Sequence, residues 1–217
     1  MSIQMTQRIY TSLILLLILY LMFINQFFLG FILIISSIFA IIEFNKMMKS
    51  IFKKFFLKLL ISNLIFIFYI FHFSMIFLLL AFSLKLKIIL FYIILICVFS
   101  DIGGILIGKY FKGRKLTKIS PNKTISGSIG AILFSFIISL IVFIFKINFI
   151  PIYKLFIFSS LISISCQIGD IFFSYLKRKS KIKDTGNILP GHGGILDRID
   201  GILLGLPVGF ILINIIS

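Results

Sequence analysis

Four of the chain's six acidic residues, Asp170, Asp184, Asp197 and Asp200, fall between positions 170 and 200. Asp197 and Asp200 stand three apart in Asp-Arg-Ile-Asp, just ahead of an apolar run. On a helix that spacing sets them about 60° apart around the axis, facing one way. Paired like charges repel unless a cation lies between them, so the spacing suits Mg²⁺ or Mn²⁺. Mg²⁺ takes one or two protein carboxylates and completes its shell with water and substrate phosphates. Asp170, next to Gly169 near the end of another apolar run, can supply a third carboxylate from a neighbouring helix. The plain alternative is that these acids only pair with the abundant lysines, as Asp184 can with Lys181 and Lys183. Pairing alone would not select Asp over Glu so consistently.

Beside the acids lies an anion-binding set. Ser174, Lys177 and Arg178 follow Asp170 by four, seven and eight residues, which is one helical face. They offer a hydroxyl and two cations to phosphate. The loop Pro190-Gly191-His192-Gly193-Gly194 leads into Asp197, and its glycines let backbone N–H groups approach a polyphosphate, with His192 as a further donor. A second polar segment, Ser120-Pro-Asn-Lys-Thr124, can cap the following helix while presenting Lys123 and Thr124 to an anion. Asp101, with Gly103 and Gly104, ends an apolar run and reads equally as a turn at the membrane surface. Spacing alone therefore points to a membrane enzyme that uses a divalent metal and basic residues on a phosphate compound, without saying which compound.

The elements that must position these residues are membrane helices. Of 217 residues, 60% are hydrophobic, and the mean hydropathy is +1.21; soluble domains hold about 45–50% apolar residues. Apolar runs place spans at roughly 10–24, 27–43, 55–71, 86–107, 126–146, 150–176 and 201–216. The stretch 72–84 is short of the roughly 20 residues a span needs, and it reads as re-entrant or interfacial. The expected fold is an all-α polytopic membrane bundle of about seven to eight transmembrane helices, with seven preferred. It forms one domain over 1–217, with N-terminal apolar helices at 1–96 and a catalytic part at 97–217 that holds the string 174–200.

The net charge of +16 would suggest nucleic acid in a soluble protein. Here the lysines cluster between apolar runs, at 46–58, 109–123 and 177–183. Positive-inside topology and contact with anionic lipid heads explain that placement, so no nucleic acid is expected. Seven spans put all three clusters and Arg8 on the cytoplasmic side. The N-terminus reads as a retained first span, not a cleaved leader. Cys97 and Cys166, inside apolar runs, read as small core or lipid-facing residues, and His72 as a satisfied packing residue. The richness in Phe and Ile with no Trp fits an AT-rich bacterial genome.

The string Ser174-Tyr-Leu-Lys-Arg, then Lys183-Asp184, then Leu189-Pro-Gly-His-Gly-Gly-Ile-Leu-Asp-Arg-Ile-Asp200 resembles that of the phosphatidate cytidylyltransferase (CDP-diacylglycerol synthase) family. Gln167-Ile-Gly-Asp170, Asp101-Ile-Gly-Gly and Ser120-Pro-Asn-Lys-Thr124 resemble its upstream motifs, so the likeness covers about 97–205. The chain departs from the family at Ser126, where Glu is usual, and at Phe173, where Glu is also usual. The resemblance implies CTP and phosphatidate as substrates and CDP-diacylglycerol and diphosphate as products. It implies Mg²⁺ or Mn²⁺ on Asp170, Asp197 and Asp200, with Ser174, Lys177 and Arg178 completing the catalytic set. Lys123, Thr124, His192 and Arg198 would be substrate contacts. A multi-pass protein of a bacterial inner membrane is implied, with its site facing the cytoplasm; a homodimer is compatible with it. The competing readings are another CTP-using lipid enzyme (a polyprenol kinase or archaeal-lipid cytidylyltransferase) and a membrane transporter.

Overall fold

Runs dominated by Ile, Leu and Phe leave the backbone one economical way through a bilayer, which is to satisfy its N–H groups within its own helix. The computed structural model describes residues 3–144, 151–188 and 193–216. Among them are seven helices: α1 (Ile3–Ile24), α2 (Gln26–Ile51), α3 (Phe56–Ala81), α4 (Leu84–Phe111), α5 (Ile125–Ile144), α6 (Ile152–Lys179) and α7 (Leu196–Ile216). Helices α2 to α6 are each long and apolar enough to cross a membrane, and α1 adds the shorter apolar stretch Tyr10–Ile24. The protein is thus an all-helical, polytopic membrane protein. Its outward Phe27 and Phe68, 93% and 66% exposed, suit lipid rather than water.

Each expected span overlaps one of the seven helices, with positions 145, 146 and 150 outside the described residues, but the stretch 72–84 is not a separate element. Residues 72–81 continue α3, whose 26 residues extend about 39 Å at about 1.5 Å each. No breaker lies between Phe71 and His72. The chain turns only at Ser83, whose Oγ accepts the N–H of Leu86 at 3.3 Å and starts α4. Nor does Asp101-Ile-Gly-Gly form a turn, since α4 runs through it to Phe111. His72 is satisfied as expected, with Nδ1 2.9 Å from the carbonyl of Phe68, but it is exposed on the helix surface rather than packed inside.

The chain's packing falls into two units, Met1–Lys87 with Leu176–Ile199 and Ile88–Tyr175 with Asp200–Ser217. The division does not follow the 96/97 boundary read from the sequence, because residues 176–199 group with the N-terminal helices.

In the first unit α2 is capped by Asn25, whose side chain accepts from Phe27 and Phe28 N–H at 2.9 and 3.2 Å. Its buried face, with Leu33, Ala40, Phe44 and Met47, packs toward α3. Phe44 stacks on Phe66 at 3.9 Å, and Asn63 donates to Asn45 at 3.0 Å.

In the second unit small residues draw the helices close. The carbonyl of Gly130 on α5 lies 2.5 Å from where a Cβ on Gly103 of α4 would be, so only glycine allows this crossing. Polar pairs bridge the remaining helices. Ser100 meets Ser163 at 2.8 Å, and Ser128 donates to Gln167 at 2.5 Å. Cys97 and Cys166 are both buried, and their sulfurs lie 2.7 Å apart between α4 and α6, so both are core residues.

Candidate active site

Helix α6 extends beyond its apolar part into Lys177-Arg-Lys179, placing cations in its last turn, where the helix dipole favours them. The chain then leaves the helix. Ile182 N–H bonds the carbonyl of Lys177 at 3.0 Å, and Lys181 takes a φ of 61° to make the turn. Arg178 donates to the carbonyl of Ile182 at 3.5 Å, so it braces this turn.

Lys177 reaches the first turn of α7, where its Nζ lies 2.8 Å from Asp197 Oδ1. The other oxygen, Oδ2, accepts Thr185 N–H at 2.8 Å, Gly194 N–H at 3.0 Å and the Thr185 hydroxyl at 3.0 Å. Burial alone would raise the Asp197 pKa, but the Lys177 and backbone hydrogen bonds outweigh it and hold the carboxyl below its ordinary value. Gly193 has a φ of 84°, and a Cβ there would stand 2.9 Å from Asp197 Oδ2, so this position needs glycine twice over.

A residue the sequence reading assigned no role joins this group. Glu43, on α2 and 4% exposed, accepts Ile195 N–H at 3.1 Å, Leu196 N–H at 2.8 Å and the Thr185 hydroxyl at 2.7 Å. Its signal is visible in the sequence: it is the chain's single Glu and it stands at the end of an apolar run, where acids are costly. Nothing local linked it to a loop more than a hundred residues away. Asp184 is exposed, and among the described residues no ion pair joins it to Lys181 or Lys183.

The second unit holds the other acids. The Ser120–Thr124 segment folds back on residues 114–116, with Leu116 N–H on the Lys123 carbonyl at 2.7 Å and Ile125 N–H on the Arg114 carbonyl at 2.9 Å. Thr124 caps α5 as expected, its Oγ1 accepting Gly127 N–H at 3.0 Å and lying 3.0 Å from Ser126 Oγ. Ser126 Oγ also accepts the N–H of Gly113 at 3.3 Å. Lys123 is thereby directed onto Asp170, with which it forms an ion pair. Ser174, one turn on from Asp170, donates to Asp170 Oδ1 at 3.4 Å. Helices α6 and α7 cross beside this pair, where the Asp200 carbonyl lies 2.6 Å from a Cβ position on Gly169. Asp200 itself is 8% exposed, and its Oδ1 accepts Gly201 N–H at 2.9 Å. Arg198 is exposed on the first turn of α7, and His192 lies outside the described residues.

Among the described residues no three His, Cys, Asp or Glu side chains stand together as a ready-made metal set. Each of the three expected ligands already has partners within the protein. Both oxygens of Asp197 are engaged by four donors. Asp170 pairs with Lys123 and accepts from Ser174, and Asp200 accepts Gly201 N–H in the same unit as Asp170.

The family model described as the cytidylyltransferase family matches residues 4–216. The phosphatidate cytidylyltransferase of Rickettsia prowazekii is 47% identical over 137 residues, covering 59% of this chain and 58% of that protein. The proteins of the same name from Rickettsia typhi and Bacillus subtilis are 49% and 39% identical over 110 and 129 residues, covering 48% and 59% of this chain and 48% of each relative. Aligned residues thus span about half the length of these curated relatives.

Proposed function

Because the chain belongs to the cytidylyltransferase family, we propose that it converts CTP and phosphatidate to CDP-diacylglycerol and diphosphate. The observation that carries the reading is the pairing of scarce acids with phosphate-type cations on the ordered motif residues. Lys123 is on Asp170, and Lys177 is on Asp197.

A phosphate oxygen of phosphatidate attacks the α-phosphorus of CTP. The bond from that phosphorus to the bridging oxygen breaks, and diphosphate leaves with the electron pair. Lys177 and Lys123 are the cations for the transferring phosphates, which compete with Asp197 and Asp170 for their N–H donors. Ser174 can turn its hydroxyl from Asp170 to a phosphate oxygen. Asp170 and Asp200 would hold Mg²⁺, which supplies charge neutralisation for the leaving diphosphate when bound. Nothing in the step requires a covalent enzyme intermediate; positioning and charge suffice.

The site is assigned to the cytoplasmic face of a bacterial inner membrane, where CTP is present and where the lysine-rich loops belong by charge bias. A homodimer is compatible with this reading and adds no residue to it. The test uses CTP labelled at either the α- or the γ-phosphorus, with the purified protein and phosphatidate. Label from the α-position, and not the γ-position, should enter lipid, and only when phosphatidate is present. Incorporation of the γ-label would identify a lipid kinase instead and overturn the proposal.

A further inference from the structure

Helix α7 begins without a cap of its own. Its first intrahelical bonds run from Arg198 and Ile199 N–H to the carbonyl of Ile195, and Ile195 has no side-chain oxygen with which to accept the exposed N–H groups. Those groups find an acceptor on another helix. The Glu43 carboxylate takes Ile195 N–H on Oε1 and Leu196 N–H on Oε2, from more than 150 positions away in the chain. Negative charge at a helix N-terminus is favoured by the helix dipole.

Glu43 also receives the Thr185 hydroxyl, so one carboxylate holds Thr185 together with Ile195 and Leu196. The backbone is shaped to admit it. A Cβ on Gly186 would stand 2.7 Å from Glu43 Oε1, and one on Gly194 would stand 2.5 Å from both carboxylate oxygens. Thr185 passes the connection on, because its hydroxyl lies between Glu43 Oε2 at 2.7 Å and Asp197 Oδ2 at 3.0 Å. With a single proton, that hydroxyl donates to one carboxylate at a time.

We propose that Glu43 is a positioning residue for cytidylyl transfer. It fixes Thr185 and the first turn of α7 so that Asp197 stays directed at Lys177. The effect on transfer rests on the function proposed above, whereas the hold on the loop does not.

The experiment combines transfer kinetics with amide hydrogen exchange on the full-length protein in detergent. Glu43→Gln keeps the size but turns one acceptor oxygen into an NH₂ donor facing other donors. Exchange should quicken in residues 193–197 while α3 keeps its wild-type protection. kcat should fall by about 10–100-fold, since a shift of order 1 Å near reacting groups can cost about 100-fold. KM for CTP should stay near wild type. Thr185→Val should reproduce part of the loss, and Thr185→Ser, which restores a hydroxyl, should recover it. If Glu43→Gln fails to accumulate as folded protein, the Thr185 pair decides, and equal kcat in Thr185→Val and Thr185→Ser overturns the proposal. Wild-type kcat in folded Glu43→Gln overturns it, as does a loss of protection spread evenly over α1 to α3. If the wild-type protein transfers no cytidylyl group, the proposed function fails, and the exchange measurement still decides whether Glu43 holds the loop.

Discussion

Lys177 Nζ lies 2.8 Å from Asp197 Oδ1, with the two side chains only 12% and 4% exposed. A charge pair this shielded is not a surface contact that salt can erase. Under the proposed function Lys177 is both a partner for Asp197 and a cation for an incoming phosphate. The same reading applies to Lys123 and Asp170, a pair more open to solvent.

Lys177→Ala should therefore affect both stability and activity. Removing one partner of a buried pair costs about 3–5 kcal/mol, and the three other donors to Asp197 should keep the loss at the lower end. The double variant Lys177→Ala/Asp197→Asn should recover part of the stability and none of the activity. Thermal unfolding in detergent, set beside CTP kinetics, separates the two effects.

The Asp197 carboxyl is held below its ordinary value of 3.8. A depressed acid contributes stability that is complete above the unfolded value and is lost as pH falls through the native one. Protection of the loop at 185–188 and 193–195 should thus decline at a pH below 3.8, and Asp197→Asn should remove that contribution to the pH dependence. Hydrogen exchange followed from neutral to acid pH checks both.

Asp170→Asn and Asp200→Asn should each lose most transfer activity if these carboxylates hold the metal. The Mg²⁺ midpoint should move to higher concentration, and added Mg²⁺ should restore part of the rate. Asp197→Asn should lose activity with a smaller change in midpoint, because its oxygens are already engaged. A Mg²⁺ titration of initial rates distinguishes the three.

Two glycines should respond oppositely to alanine. Gly194→Ala places a methyl 2.5 Å from both Glu43 oxygens, an overpacking that costs about 1–3 kcal/mol. Gly30→Ala on α2 meets nothing within 4 Å and should be neutral or stabilising by up to about 1 kcal/mol through helix propensity. Melting temperatures of the two variants give the comparison.

Topology is tested by single cysteines. Lys115→Cys and Lys181→Cys should react from the cytoplasmic side only, because α5 and α6 lie between them in the chain. Ser217→Cys should react from the opposite side. The native thiols are buried and should give little background. Labelling of Lys115→Cys and Lys181→Cys from opposite sides would refute the seven-span topology.

The all-helical class, the helices near each expected span, the Thr124 cap and the family string were all legible in the sequence. Each depends on neighbours along the chain: apolar residues close enough to form one helix, a hydroxyl three positions from the N–H it caps, motif residues in fixed order. The stretch 72–84 is not a separate element for a local reason: its apolar run is short, but no turn residue breaks α3 before Ser83. Only tertiary structure decided the rest. Glu43 and Leu196 meet because α2 and the first turn of α7 pack together, and no periodicity in either segment encodes that contact. Asp197 reads as an open metal ligand from its spacing to Asp200, yet folding surrounds it with donors from Lys177, Thr185 and Gly194. Spacing along a chain tells which face a carboxylate occupies. Which hydrogen-bond donors fill that carboxylate depends on every segment that folds against it.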